Sequence, residues 1–173
     1  MPFASPKPCA IADTIDAIDW AALKQQGVRG ILVDLDNTLV PWSKAVSAVP
    51  PNVRAWLDDV RALGFSVCLL SNGLERRVQP FARELGVLSV ARAGKPKPQA
   101  YRRALALLSL PREACVAVGD QLMTDIAGAQ RAGIRAFLVQ PLSEREFFFT
   151  RINRFIERRL QSRASSKNRG DRS

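Results

Sequence analysis

Gly30-Ile31-Leu32-Val33-Asp34-Leu35-Asp36-Asn37-Thr38-Leu39-Val40 is an apolar run that ends in two carboxylates and then turns. Ile31, Leu32 and Val33 are β-formers without a polar interruption, the pattern of a strand buried on both faces of a parallel sheet. Side chains alternate along a strand, so Asp34 and Asp36 are expected on one side and Leu35 on the other. The carboxyl ends of such strands are where open α/β sheets bind ligands.

The same rhythm continues outward from this stretch. Asp13 to Gln26 reads as a helical approach stopped by Gly27, with Val28 beginning the first strand. A helix from about residue 52 to 63 carries Val53, Trp56, Leu57, Val60 and Leu63 on one face. Strands are predicted over 65–70, 87–91, 115–118 and 134–139, separated by helices over 75–85, 99–108 and 124–133. Trp42, in the proline-containing connection after the Asp pair, is expected to cap the sheet rather than stack near the site. Strands alternating with helices imply βαβ units and a parallel five-stranded sheet in a three-layer α/β/α, Rossmann-like fold.

Composition narrows the chemistry. The chain has 173 residues, 47% of them apolar, and a formal net charge of +10. Histidine is absent, which excludes a His general base, a His-containing triad and His-ligated zinc. Cys9, Cys68 and Cys115 have no paired metal spacing and are expected to be reduced. With no apolar run near the ~20 residues of a membrane span, a cytoplasmic location is expected, with peripheral membrane contact as an extension. Between Arg151 and Ser173 eight basic residues stand against two acidic ones, a balance that calls for an anionic partner: a phospholipid surface, nucleic acid or a polyphosphate.

Polar groups recur at four predicted strand ends. Asp34 and Asp36 follow the first, Ser71-Asn72-Gly73 the second, Gly94-Lys95-Pro96-Lys97-Pro98 the third, and Gly119-Asp120-Gln121-Leu122-Met123-Thr124-Asp125 the fourth. Four clustered carboxylates repel one another unless a hard cation joins them, and oxygen ligands suit Mg2+.

This ordered series resembles the four motifs of the haloacid dehalogenase (HAD) superfamily over roughly residues 28–140. The resemblance implies phosphomonoester hydrolysis with Asp34 as nucleophile and Asp36 as acid/base. It implies Ser71 and Lys95 around the transferring phosphoryl group, with Asn72 beside them as a substrate contact. Lys95 is preferred to Lys97 because of its Lys-Pro order. Mg2+ is implied on Asp34, Asp120 and the Asp36 carbonyl, with Asp125 added to the acidic set as an outer partner. Short gaps between motifs leave no room for a cap domain. Arg76, Arg77, Arg92 and Lys97 are candidates to grip a second phosphate.

The texture is closest to the YqeG-like subfamily, class IIIA, related to phosphatidylglycerophosphate phosphatases. The reaction implied is removal of the terminal phosphate of that lipid, a step of phospholipid biosynthesis. The alternatives are a soluble phosphatase for a sugar phosphate or nucleotide, and an RNA-binding protein on a HAD scaffold. Domain expectations are a lead-in and helix over 1–27, the core over 28–142, a basic amphipathic helix over 143–162, and a disordered tail over 163–173. That helix interleaves Phe147, Phe148, Phe149, Ile152, Phe155, Ile156 and Leu160 with arginines, so it can either pack on the sheet or meet an anionic membrane.

Overall fold

Gly30–Val33 is buried at every position, so this strand has to lie inside a sheet covered on both faces. A computed structural model describes residues 6–42 and 48–143. Numbered in chain order, the strands are β1 (Ala10–Ala12), β2 (Gly30–Val33), β3 (Ser66–Leu70), β4 (Leu88–Val90), β5 (Cys115–Gly119) and β6 (Arg135–Val139). They form one sheet in the order β1-β6-β5-β2-β3-β4, parallel throughout. Ile31 of the central β2 lies opposite Val67 on one side and Val116 on the other.

The helices are α1 (Trp20–Gln25), α2 (Pro51–Ala62), α3 (Glu75–Leu85), α4 (Pro98–Leu108) and α5 (Ala127–Arg131). They complete a three-layer α/β/α architecture. Helix α2 buries Val53, Trp56, Leu57 and Val60, spacings of three and four that make one apolar stripe. Leu63, expected on that stripe, is the C-cap and is exposed. Trp20 packs on Trp56 and Phe65 with ring centroids 6.0 and 5.8 Å away, which fastens α1 and α2 to one another. Cys68 and Cys115 are buried free thiols and Cys9 an exposed one.

The sheet has six strands where the sequence suggests five. Ala10–Ala12 joins β6 in register Ile11 to Leu138, so the segment read as a lead-in is an edge strand. Three residues without alternation carry no period of their own, and only the exposed edge of β6 selects them. The helix expected from Asp13 is shorter for a local reason: Ile15–Ala17 is a 3-10 turn, and Asp19 then caps α1 by accepting the Ala22 N–H at 2.9 Å. Asp120 to Gly133 likewise begins with a π-helical turn, Leu122–Ile126, before α5.

Residues through Leu142 form one compact unit. The amphipathic helix and tail expected beyond it lie outside the described residues. Among the described residues no helix is long and apolar enough to cross a membrane.

Candidate active site

Chain order reverses across β2: β3 and β4 lie to one side, β5 and β6 to the other. A crevice opens at the carboxyl ends of the strands at such a switch point. Asp34 follows β2 and Asp120 follows β5, and the Asp34 N–H donates to the Val118 carbonyl at 2.9 Å, carrying the pairing to the rim.

Asp34, Asp120 and Asp125 each place a carboxylate oxygen within 4.8 Å of the others, and all three are buried. Lys95, also buried, reaches them from the loop after β4. Its Nζ donates to Asp34 Oδ1 and to Asp125 Oδ1, both at 2.6 Å. Three carboxylates against one ammonium leave a formal excess of two negative charges. An all-oxygen, buried donor set with that deficit fits a hard divalent cation. Asp125 has both oxygens engaged, Oδ1 by Lys95 and Oδ2 by the Gln121 N–H at 3.1 Å, so Asp34 and Asp120 are the better direct ligands. Thr38 Oγ1 donates to Asp120 Oδ1 at 3.4 Å.

Electrostatics follow from this crowding. Burial pushes the Asp34 carboxyl up to about 8; Lys95 opposes the rise, and Asp125 and Asp120 add to it. Burial, followed by repulsion from Asp125, raises Asp120 to about 7. Burial works against the Lys95 ammonium, but the Asp125 and Asp34 carboxylates outweigh it and hold the amine charged above its ordinary range.

Backbone design explains how the groups come so close. A Cβ on Gly119 would stand 2.3 Å from Asp125 Cγ, so only glycine lets that carboxylate fold back over the end of β5. A Cβ on Gly128 would stand 2.5 Å from the Tyr101 ring. With glycine there, the Tyr101 hydroxyl reaches the Asp125 carbonyl at 2.8 Å and closes the π-helical turn from α4. No period in the sequence marks Tyr101 for this task; it reads as an ordinary core aromatic.

Asp36 does not join the carboxylate cluster. The chain leaves the strand after Val33, and Asn37, at φ 63°, turns it so that the Asn37 N–H meets the Val40 carbonyl. The Asp36 carboxylate instead pairs with Arg77, a residue read as a candidate for a second phosphate. The expected nest of four carboxylates is therefore three, with the fourth held by a guanidinium. Ser71 is buried, and its Oγ accepts the Gly73 N–H at 3.0 Å, which leaves the hydroxyl proton to donate elsewhere. The Asn72 amide holds the Lys95 backbone, accepting from its N–H at 2.8 Å and donating to its carbonyl at 3.3 Å, and so positions the lysine loop. Lys97 is the exposed N-cap residue of α4. Trp42 does not cap the sheet, since 55% of it is exposed.

The family model for haloacid dehalogenase-like hydrolases matches residues 44–133. The probable phosphatase YqeG of Bacillus subtilis is 40% identical over 145 residues, 84% of this chain and 83% of that protein. The chloroplastic phosphatidylglycerophosphate phosphatase 1 of Chlamydomonas reinhardtii is 34% identical over 146 residues, 79% of this chain and 53% of that protein. A crystal structure of an uncharacterized protein from Listeria monocytogenes serotype 4b shares the fold, with a TM-score of 0.54 at 24% identity over 64% of this chain and 78% of that one.

Proposed function

The chain belongs to the haloacid dehalogenase-like hydrolases and is a phosphatase, and on that premise we propose that it is Mg2+-dependent and dephosphorylates phosphatidylglycerophosphate through an aspartyl phosphate on Asp34. The carrying observation is the Asp34 carboxylate at the rim of β2, its Oδ1 fixed by Lys95 beside Asp120 and Asp125. That arrangement leaves one carboxylate oriented by an ammonium, inside a cluster two charges short of neutrality.

Asp34 and Asp120 would hold the cation together with the Asp36 carbonyl, and Asp125 would act through Lys95 and Gln121. When bound, Mg2+ neutralises charge on the phosphoryl oxygens and on the carboxylates themselves. An Asp34 oxygen attacks phosphorus in line as the bond to the leaving alkoxide breaks. Asp36 gives its proton to that alkoxide, then takes one from the water that attacks the acyl phosphate, returning Asp34 as a carboxylate. Ser71 and Lys95 donate hydrogen bonds to the phosphoryl oxygens as their charge redistributes.

The lipid substrate is favoured by the phosphatidylglycerophosphate phosphatase 1 of Chlamydomonas reinhardtii, aligned over 79% of this chain. Phosphate release from a panel containing that lipid, glycerol phosphate esters, sugar phosphates and nucleotides, with Mg2+ and with EDTA, tests the reading. Preference for the lipid and loss of turnover in EDTA are expected. Equal turnover of glycerol phosphate esters would transfer the assignment to soluble substrates.

A further inference from the structure

Three large apolar side chains stand exposed on the segments that follow strands at the carboxyl edge of the sheet: Trp42 at 55%, Leu74, the N-cap of α3, at 39%, and Met123, in the π-helical turn, at 66%. Each follows a strand end that builds the site. The Trp42 N–H is anchored on Asn37 Oδ1, one residue beyond Asp36. Leu74 directly follows Ser71-Asn72-Gly73, and Met123 lies in the turn between Asp120 and Asp125. The other exposed large apolar residues are placed differently. Ile11 and Leu88 belong to the two edge strands, and Leu63 and Leu107 lie at the ends of α2 and α4, where the chain returns to the opposite edge of the sheet.

Cations share this rim. Arg76, Arg92 and Lys97 are exposed on the segments after β3 and β4, and the acid Glu75 is exposed beside Arg76 in the chain. The Arg92 N–H donates to the Gly73 carbonyl at 2.9 Å, which ties its loop to the one carrying Leu74. Scattered exposed apolar side chains need no explanation. An indole, two flexible apolar tips and three cations around one phosphate-accepting mouth match a surface that is greasy below and anionic above.

We infer that this rim docks on an anionic lipid bilayer, with Trp42, Leu74 and Met123 entering the headgroup boundary and Arg76, Arg92 and Lys97 meeting lipid phosphates. The site then faces the headgroups directly. The choice of a bilayer as occupant rests on the phospholipid reading above and on the rim's charge.

Trp42 supplies its own reporter, because Trp20 and Trp56 are buried in the core. The full chain is mixed with phosphatidylserine–phosphatidylcholine vesicles, some carrying brominated acyl chains, with pure phosphatidylcholine as control and Trp42→Phe as the emission blank. The Trp42 emission is expected to shift to the blue and to be quenched by bromine on the anionic vesicles only. Leu74→Glu with Met123→Glu is expected to weaken vesicle binding about tenfold or more, from the loss of two apolar insertions, at an unchanged unfolding temperature. Vesicle binding that leaves Trp42 emission unmoved overturns the proposal, because another part of the chain then makes the contact. Emission already shielded without vesicles, or shifting with protein concentration alone, overturns it in favour of residues 144–173 or a second copy as the cover. Turnover of phosphatidylglycerophosphate in detergent is measured separately: docking without turnover removes only the substrate assignment, and turnover without docking removes only the rim.

Discussion

Arg77 donates two hydrogen bonds to one oxygen of Asp36, from Nε at 2.8 Å and from Nη2 at 2.5 Å. Both side chains are largely shielded, at 14% and 19% exposure, so the pair fixes where the Asp36 carboxyl points. If Asp36 protonates the leaving oxygen, Arg77 acts through it as a positioning residue. General acid catalysis contributes roughly 10²–10⁴-fold where the leaving group needs a proton. Arg77→Ala is therefore expected to lower kcat at least tenfold on alkyl phosphates but far less on p-nitrophenyl phosphate, whose leaving group departs unaided, with partial rescue by Arg77→Lys. Equal losses on both, read by steady-state kinetics, would remove Arg77 from the proton transfer.

Asp34→Asn is expected to abolish phosphate release while the protein stays folded. It also removes one carboxylate from a set that burial and mutual repulsion already strain. In EDTA at pH 8 its unfolding temperature should equal or exceed that of the parent. Turnover near the parent level, with contaminating phosphatase excluded, would eliminate Asp34 as nucleophile.

Lys95→Met reverses the sign. It leaves Asp34, Asp120 and Asp125 without their ammonium, and breaking a buried ion pair from one side costs about 3–5 kcal/mol. Thermal unfolding should show the loss most clearly without divalent ions and a smaller loss with Mg2+. An unchanged unfolding temperature in EDTA would mean that Lys95 does not stabilise the cluster.

Stability of the metal-free protein should fall as pH rises. Asp34 and Asp120 go from 3.8 to about 8 and about 7 on folding, so between these values the folded state binds more protons than the unfolded one. By linkage, the stabilising protonated form is complete below the unfolded value and is lost as pH climbs through 7 and 8. Mg2+ should accordingly raise the unfolding temperature more at pH 8 than at pH 5.5. An equal gain at both would place the ion away from these carboxylates.

Gly119→Ala should lose most activity and destabilise by about 1–3 kcal/mol, the usual cost of overpacking, since its Cβ would meet Asp125 at 2.3 Å. Gly133→Ala, whose strain comes from φ 74° and not from the site, separates the two effects: it should reduce stability and leave kcat on a soluble phosphate ester in place. Denaturant unfolding and kinetics on both variants check this.

Lys95 is preferred to Lys97 through the family resemblance and its Lys-Pro order; the amino-acid order by itself determined the alternation of strands and helices and the strand ends at Asp34, Ser71 and Asp120. These are local: an apolar run, a glycine or proline stop and the next polar residue fix where a parallel strand delivers its side chain. Tertiary structure alone decided the rest. The strand at Ala10–Ala12 exists because β6, over a hundred residues on, offers an unpaired edge. Asp36 parts from the other carboxylates because the backbone turns at Asn37 and Arg77, 41 residues away, takes its oxygen. Asp125 is carried into the buried cluster because Gly119 lacks a side chain and Lys95 bridges it to Asp34. A pairing edge, a turn and a through-space bond have no period along the chain, so they become visible only once the sheet has brought its loops to one rim.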